Sequence, residues 1–208
     1  MEMTPLYRFA KIVPQWFVRP ILPVRIRGTE NLPKKGAAIV CFNHMRNSDP
    51  VRIFFTSHRQ IFFLGKSELF QNKFISWVLR NVGVISIQRG RGDVNAMSDA
   101  GKHLKNGNLL GVFIEGTRSR DGSFGKPKAG VAMLAWRYHV PVIPCCLTAK
   151  DGKLPKVFHP CCVSYGKPIQ PEELGLVTGK SNELRAASRT IMQKIQEIRA
   201  EDLRALPQ

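Results

Sequence analysis

The chain has 208 residues, long enough to bury one substantial core and short for two full domains. Its 32 Lys and Arg against 15 Asp and Glu leave a net charge of +17, more than an enzyme confined to neutral metabolites would need. That sign suits an anionic partner such as nucleic acid, acidic phospholipid or a polyanionic cofactor, and no stretch reaches the ~18 apolar residues of a membrane span.

From the amino terminus, residues 1–22 read as a leader. Leu6, Phe9, Ile12, Trp16 and Phe17 recur at helical spacing with Arg8, Lys11 and Arg19 between them. This predicts an amphipathic membrane-interface helix anchored by Trp16 and Phe17, ended or kinked at Pro14. The same pattern also suits a helix packed on the domain. Scattered charges and Pro14 argue against a cleavable signal peptide.

Residues 23–208 read as a single domain. Apolar runs predict strands over 24–28, 37–42, 61–65, 84–88, 109–114, 142–148 and 157–165. Helical patterns fall between them over 51–57, 67–82, 93–106 and 130–139, and a last helix spans 182–203. This alternation predicts an α/β fold: a mixed, largely parallel sheet with helices on both faces. Within 67–82, Leu69, Phe70, Phe74, Trp77 and Val78 read as a core-facing stripe rather than an acyl channel or a lipid contact. The Pro- and Gly-bearing stretch 170–180 reads as a linker.

Of five Cys, four form the adjacent pairs Cys145-Cys146 and Cys161-Cys162 inside strand-like runs. Successive strand side chains face opposite ways, so neither pair suits a metal; buried reduced thiols are expected, and no metal site.

The chemistry concentrates after the apolar run 37–42, which delivers Asn43-His44 at a strand's carboxyl end, where open sheets place their sites. Pro50 suits the first turn of a helix, so Asp49 is the expected N-cap, and His44 and Asp49 bound one tight strand-to-helix loop. An alcohol attacking a thioester must lose a proton, which imidazole is suited to accept. A carboxylate on the other ring nitrogen fixes the tautomer and steadies the imidazolium. Capping alone is the plainer role for Asp49, though one carboxylate has two oxygens and can do both. Cys41 or Ser48 as a covalent nucleophile is the rival, without a Gly-x-Ser-x-Gly elbow to support it.

Further along, Gly83-Val84-Ile85-Ser86-Ile87-Gln88-Arg89 ends in a cation whose fork could grip a phosphate. Glu115-Gly116-Thr117-Arg118 follows another apolar strand; Gly116 permits close backbone approach, and Thr117 and Arg118 add a hydroxyl and a cation. Lys126 and Lys128 flank Pro127 ahead of the helix opened by Gly130, and Pro127 excludes a P-loop.

Taken in order, these blocks resemble those of the glycerolipid acyltransferase family, which includes 1-acylglycerol-3-phosphate acyltransferases. Asn43-His44-Met45-Arg46-Asn47-Ser48-Asp49-Pro50 resembles its catalytic His-x4-Asp block, and Gly83 to Arg89 its second. Phe113-Ile114-Glu115-Gly116-Thr117-Arg118 is similar to the third block, and Val140-Pro141-Val142-Ile143-Pro144 to the fourth. Gly65-Lys66-Ser67-Glu68 resembles a segment usually found before the second.

The resemblance implies a glycerol-3-phosphate acyltransferase-like fold. It implies His44 as base, Asp49 as its orienter, and Asn43, Asn47, Lys66, Arg89, Glu115, Gly116, Thr117 and Arg118 as substrate-binding residues. The acceptor would be 1-acyl-sn-glycerol-3-phosphate or another lysophospholipid or glycerol-3-phosphate. Acyl-CoA or acyl carrier protein would serve as donor, with no further cofactor. The expected location is peripheral, on an anionic membrane surface at the cytoplasmic face. A non-catalytic membrane- or RNA-binding module is the rival class, but aromatics interleaved with cations on a sheet face are missing, so no nucleic-acid partner is expected.

Overall fold

The computed structural model describes residues 4–12, 15–87 and 94–205. Among these residues seven strands form one sheet in the order β1-β7-β6-β2-β5-β3-β4, as the alternation of elements predicts. They are β1 Val24–Arg27, β2 Ala38–Phe42, β3 Ile61–Lys66, β4 Val84–Ile87, β5 Leu109–Phe113, β6 Val142–Ala149 and β7 Cys161–Tyr165. Strands β2 to β6 all run parallel, whereas β7 is antiparallel to β6 and β1 is parallel to β7. Five strands therefore end on one edge of the sheet, and β1 and β7 begin there.

The central position of β2 follows from its composition: all five residues of Ala-Ile-Val-Cys-Phe are buried, so both faces need cover. Ala38, Val40 and Phe42 join one core with Ile53 and Leu32, while Ile39 and Cys41 join the other. That second core is closed by α5 (Val94–Lys105), α6 (Gly130–Tyr138) and α7 (Ser181–Ala205). The same period of two sends Cys145 and Cys146 to opposite cores, and all five thiols are free and buried.

The leader region is helical as α1 (Pro5–Ile12) and α2 (Gln15–Ile21); Val13 and Pro14, the expected kink, lie outside the described residues. The first of these packs down, with Tyr7 1% exposed against Phe54 and the Thr4 hydroxyl donating to the Asn81 carbonyl at 2.9 Å. By contrast, α2 leaves Trp16 and Phe17 exposed. No helix among the described residues is long and apolar enough to cross a membrane.

Four expectations fail. The predicted helix 67–82 breaks into a 3-10 turn, Ser67–Phe70, and α4, Lys73–Asn81, because the Asn72 side chain caps the N–H groups of Phe74 and Ile75. Its apolar stripe is no core face: Leu69, Phe74 and Trp77 are exposed. The predicted strand 157–165 starts only at Cys161, since Pro160 has no N–H to enter a ladder and Phe158 adopts φ 60°. The 170–180 stretch is no mere linker either, because Leu174 and Leu176 are buried against the helical face of the sheet.

Candidate active site

Strand β2 ends at Phe42 and the chain turns through residues 43–48 into α3 (Asp49–Phe54). Expected as the N-cap, Asp49 is instead the first helical residue, Ser48 takes the cap position, and no side chain caps that end. The carboxylate turns back onto the preceding loop because three donors converge there. Its Oδ2 accepts from the backbone N–H of Met45 at 2.6 Å and of Arg46 at 2.7 Å, and lies 2.9 Å from His44 Nδ1. With Nδ1 committed to Asp49, Nε2 is the ring nitrogen left to exchange a proton with a ligand. The ring stacks on Phe113 at 3.9 Å between centroids and 19° between planes, which sets its tilt.

Both partners sit in low dielectric: Asp49 is fully buried and His44 is 7% exposed. Asp49 Oδ1 has no hydrogen-bond partner among the described groups. Arg52, one turn along α3, is also buried, at 1% exposed. Its guanidinium donates to the Pro23 carbonyl at 2.9 Å and the Lys156 carbonyl at 2.8 Å, fastening α3 to the start of β1 and the β6–β7 connection.

The block after β5 meets this loop directly. Glu115 is buried; its Oε1 accepts the His44 backbone N–H at 3.3 Å and its Oε2 the Gly125 N–H at 2.8 Å. Burial pushes the Glu115 carboxyl above its ordinary value, against the downward pull of those two donors and of His44. The His44 carbonyl in turn accepts the Ser119 N–H at 2.8 Å, so the two loops are laced together. Gly116 turns the chain at φ +67°, a conformation a β-carbon disfavours, and Lys128 lies against it. Asn43 gives its whole amide to the backbone of one residue: its Nδ2 donates to the Leu147 carbonyl at 3.1 Å and its Oδ1 accepts the Leu147 N–H at 2.8 Å. It thereby continues the β2–β6 ladder one step past its last paired residue, Phe42.

Of the residues singled out in the sequence, His44, Asp49, Asn43 and Glu115 thus form one buried cluster. Gly116, Thr117 and Arg118 sit on the same edge beyond β5, with Thr117 and Arg118 exposed. Exposed Lys66 closes β3 on that edge, and Asn47 is exposed on the His44 loop. Arg89, with Gln88, lies outside the described residues. Cys41 is fully buried with its thiol pushed up by burial and then by Glu115, a poor nucleophile. Two residues carry no local signal of these roles: Phe113, which ends a strand like many aromatics, and Arg52, whose two acceptors lie 29 and 104 positions away.

A family model described as Acyltransferase matches residues 23–148. The 1-acyl-sn-glycerol-3-phosphate acyltransferase of Borreliella burgdorferi is 31% identical over 125 residues, covering 59% of this chain and 50% of that protein. The Bacillus subtilis protein of the same name is 24% identical, over 84% of this chain and 87% of its own. The chain spans about half the length of the first curated relatives it matches, 50% of the Borreliella protein and 42% of the chloroplastic Arabidopsis thaliana enzyme. The crystal structure of the 1-acyl-sn-glycerophosphate (LPA) acyltransferase PlsC from Thermotoga maritima superposes with a TM-score of 0.70 at 27% identity, covering 94% of this chain and 78% of that one.

Proposed function

This chain belongs to the acyltransferase family, and from that premise we propose that it moves a fatty acyl group from the thioester of acyl-CoA or acyl carrier protein to the free hydroxyl of 1-acyl-sn-glycerol-3-phosphate, giving phosphatidic acid. The observation that carries the reading is the buried His44 Nδ1 to Asp49 Oδ2 contact of 2.9 Å at the sheet's carboxyl edge. Nε2 takes the hydroxyl proton as the acceptor oxygen attacks the thioester carbon. The tetrahedral oxyanion then collapses, the C–S bond breaks, and the imidazolium returns the proton to the departing thiolate. Asp49 stays ionised and steadies the imidazolium between these steps.

Asn43 and Glu115 act through the loop they hold rather than by touching substrate, since their polar atoms are engaged with backbone groups. Binding of the anionic acceptor falls to Lys66, Arg89, Thr117 and Arg118, with Asn47 and Gly116 at its margin. The names of the relatives support the acceptor, and the net charge of +17 supports a peripheral seat on the anionic cytoplasmic membrane face, with exposed Trp16 and Phe17 as anchors.

The test is thiol release with His44→Ala, which should lower turnover at least about 100-fold; unchanged turnover eliminates the mechanism. Offering several lysolipids with both donor types and identifying the lipid product decides the acceptor.

A further inference from the structure

Because β1 and β7 begin where β2, β5 and β6 end, the β6–β7 connection lies on the catalytic edge of the sheet, and so does the end of α2. There Val157 and Phe158 stand 54% and 69% exposed. Phe158 also holds φ 60°, a left-handed conformation that aromatic residues rarely adopt. Its N–H donates to the Ile21 carbonyl at 2.7 Å, and Arg52 grips the neighbouring Lys156 carbonyl. The fold thus holds two adjacent apolar side chains exposed, Phe158 in an unfavourable backbone, on a loop tied to Ile21 at the end of α2.

On the other side of His44, β3 ends at Lys66 and runs into the 3-10 turn and α4. Leu69 is 52% exposed, Phe74 72% and Trp77 53%, with the last two rings stacked 6.3 Å apart. In strand order β2, which delivers His44, stands between β6 and the β5-β3 pair. Two apolar patches therefore straddle the catalytic loop along one edge. Cations outnumber acids beside each, Lys150, Lys153 and Lys156 against Asp151, which pairs with Lys156, at the first and Lys66 and Lys73 against Glu68 at the second.

We propose that this edge seats on an anionic phospholipid bilayer through both patches at once, the Val157–Phe158 wedge and the Leu69, Phe74 and Trp77 surface, with His44 held between them. The orientation of His44 towards headgroups rests on the acyltransferase reading; the seating does not. A bilayer fits better than a second copy of the chain, because apolar side chains collared by cations match an anionic interface, whereas two chains of charge +17 repel each other.

The full chain is tested by sedimentation with phosphatidylcholine vesicles containing or lacking phosphatidylglycerol, for wild type, for Val157→Ser with Phe158→Ser, and for Phe74→Ser with Trp77→Ser. Each pair should lower partition into the anionic vesicles at least about 10-fold, the loss expected from removing two large apolar side chains. Acyl transfer to a short-chain, monomeric lysolipid should change less than about twofold in both, which reads site integrity. Phe158→Gly, compatible with φ 60°, should keep or raise Tm while still weakening partition, which separates seating from folding. Vesicle affinity equal to wild type in either pair overturns the proposal. So does a fall in affinity matched by the loss of a solution dimer, which would make the patches an interface between copies. Failure of the acyltransferase reading looks different: wild type sediments with vesicles and responds to both pairs, yet releases no thiol from either donor.

Discussion

Glu115 and His44, separated by 71 positions, meet through the backbone: the Glu115 carboxylate accepts the His44 N–H at 3.3 Å and the Gly125 N–H at 2.8 Å with its other oxygen. The carboxylate after β5 therefore sets where the loop after β2 can lie. Replacing it by an amide keeps the shape but turns one acceptor into a donor facing an N–H. Glu115→Gln should lower stability by about 1–3 kcal/mol and lower kcat more than it raises KM, as expected when a base is mispositioned while substrate binding is left intact. Denaturant titration with steady-state kinetics checks both.

The same carboxyl has a pH signature. Burial raises its folded-state value above the ordinary 4.5, so between those two values the folded chain binds more protons than the unfolded one. Its contribution to stability is full below about the ordinary value and is lost as pH rises through the raised one. Comparing Tm across this window, wild type should lose part of its stability that Glu115→Gln does not lose.

Asp49 serves three donors through one oxygen. Asp49→Asn can still accept from the loop but removes the charge that steadies an imidazolium, so turnover should drop about 10²- to 10⁴-fold with the smaller structural cost. Asp49→Ala strands all three donors and should also lose about 2–5 kcal/mol of stability. Equal activity in Asp49→Asn and wild type would rule out the electrostatic role.

Arg52 spans two carbonyls, Pro23 and Lys156, from a buried position on the helix that carries Asp49. Arg52→Met leaves both carbonyls without their donor, for an expected cost of about 2–5 kcal/mol by urea denaturation. Arg52→Lys should recover less than half of that, because a single ammonium lacks the planar fork that reaches both carbonyls.

Asn43 pairs with both the N–H and the carbonyl of Leu147. Asn43→Asp keeps the acceptor for the Leu147 N–H but sets a carboxylate oxygen against the Leu147 carbonyl. It should therefore destabilise more than Asn43→Ala, whose cost is about 1–3 kcal/mol. Hydrogen exchange at the Leu147 amide should accelerate in both variants.

Much of this is legible in the order of residues. The continuous apolar run 38–42 marks a strand buried on both faces, and the next residues carry the imidazole and carboxylate that the fold brings to 2.9 Å. Four residues and one strand-to-helix turn separate those two side chains, so local geometry almost suffices to join them. The alternation of strand and helix likewise specifies an open sheet, because helices following parallel strands must cross back over its faces.

Other features follow from partners that no local pattern names. Asn43 and Glu115 look like ligand-binding groups in the sequence, and only contacts across sequence separations of 104 and 71 show each engaged with backbone. Arg52 has no local mark of its role, because Pro23 and Lys156 reach it from distant parts of the chain. The stripe on α4 has a core-like spacing, yet the sheet ends at β4 and offers no further layer to cover it. Amino-acid order determined the elements and the reactive pair, since a period of two or of 3.6 residues and a short loop are near-neighbour properties. Tertiary structure decided which polar groups are engaged by backbone and which apolar ones meet solvent, because burial depends on what packs opposite, from anywhere in the chain.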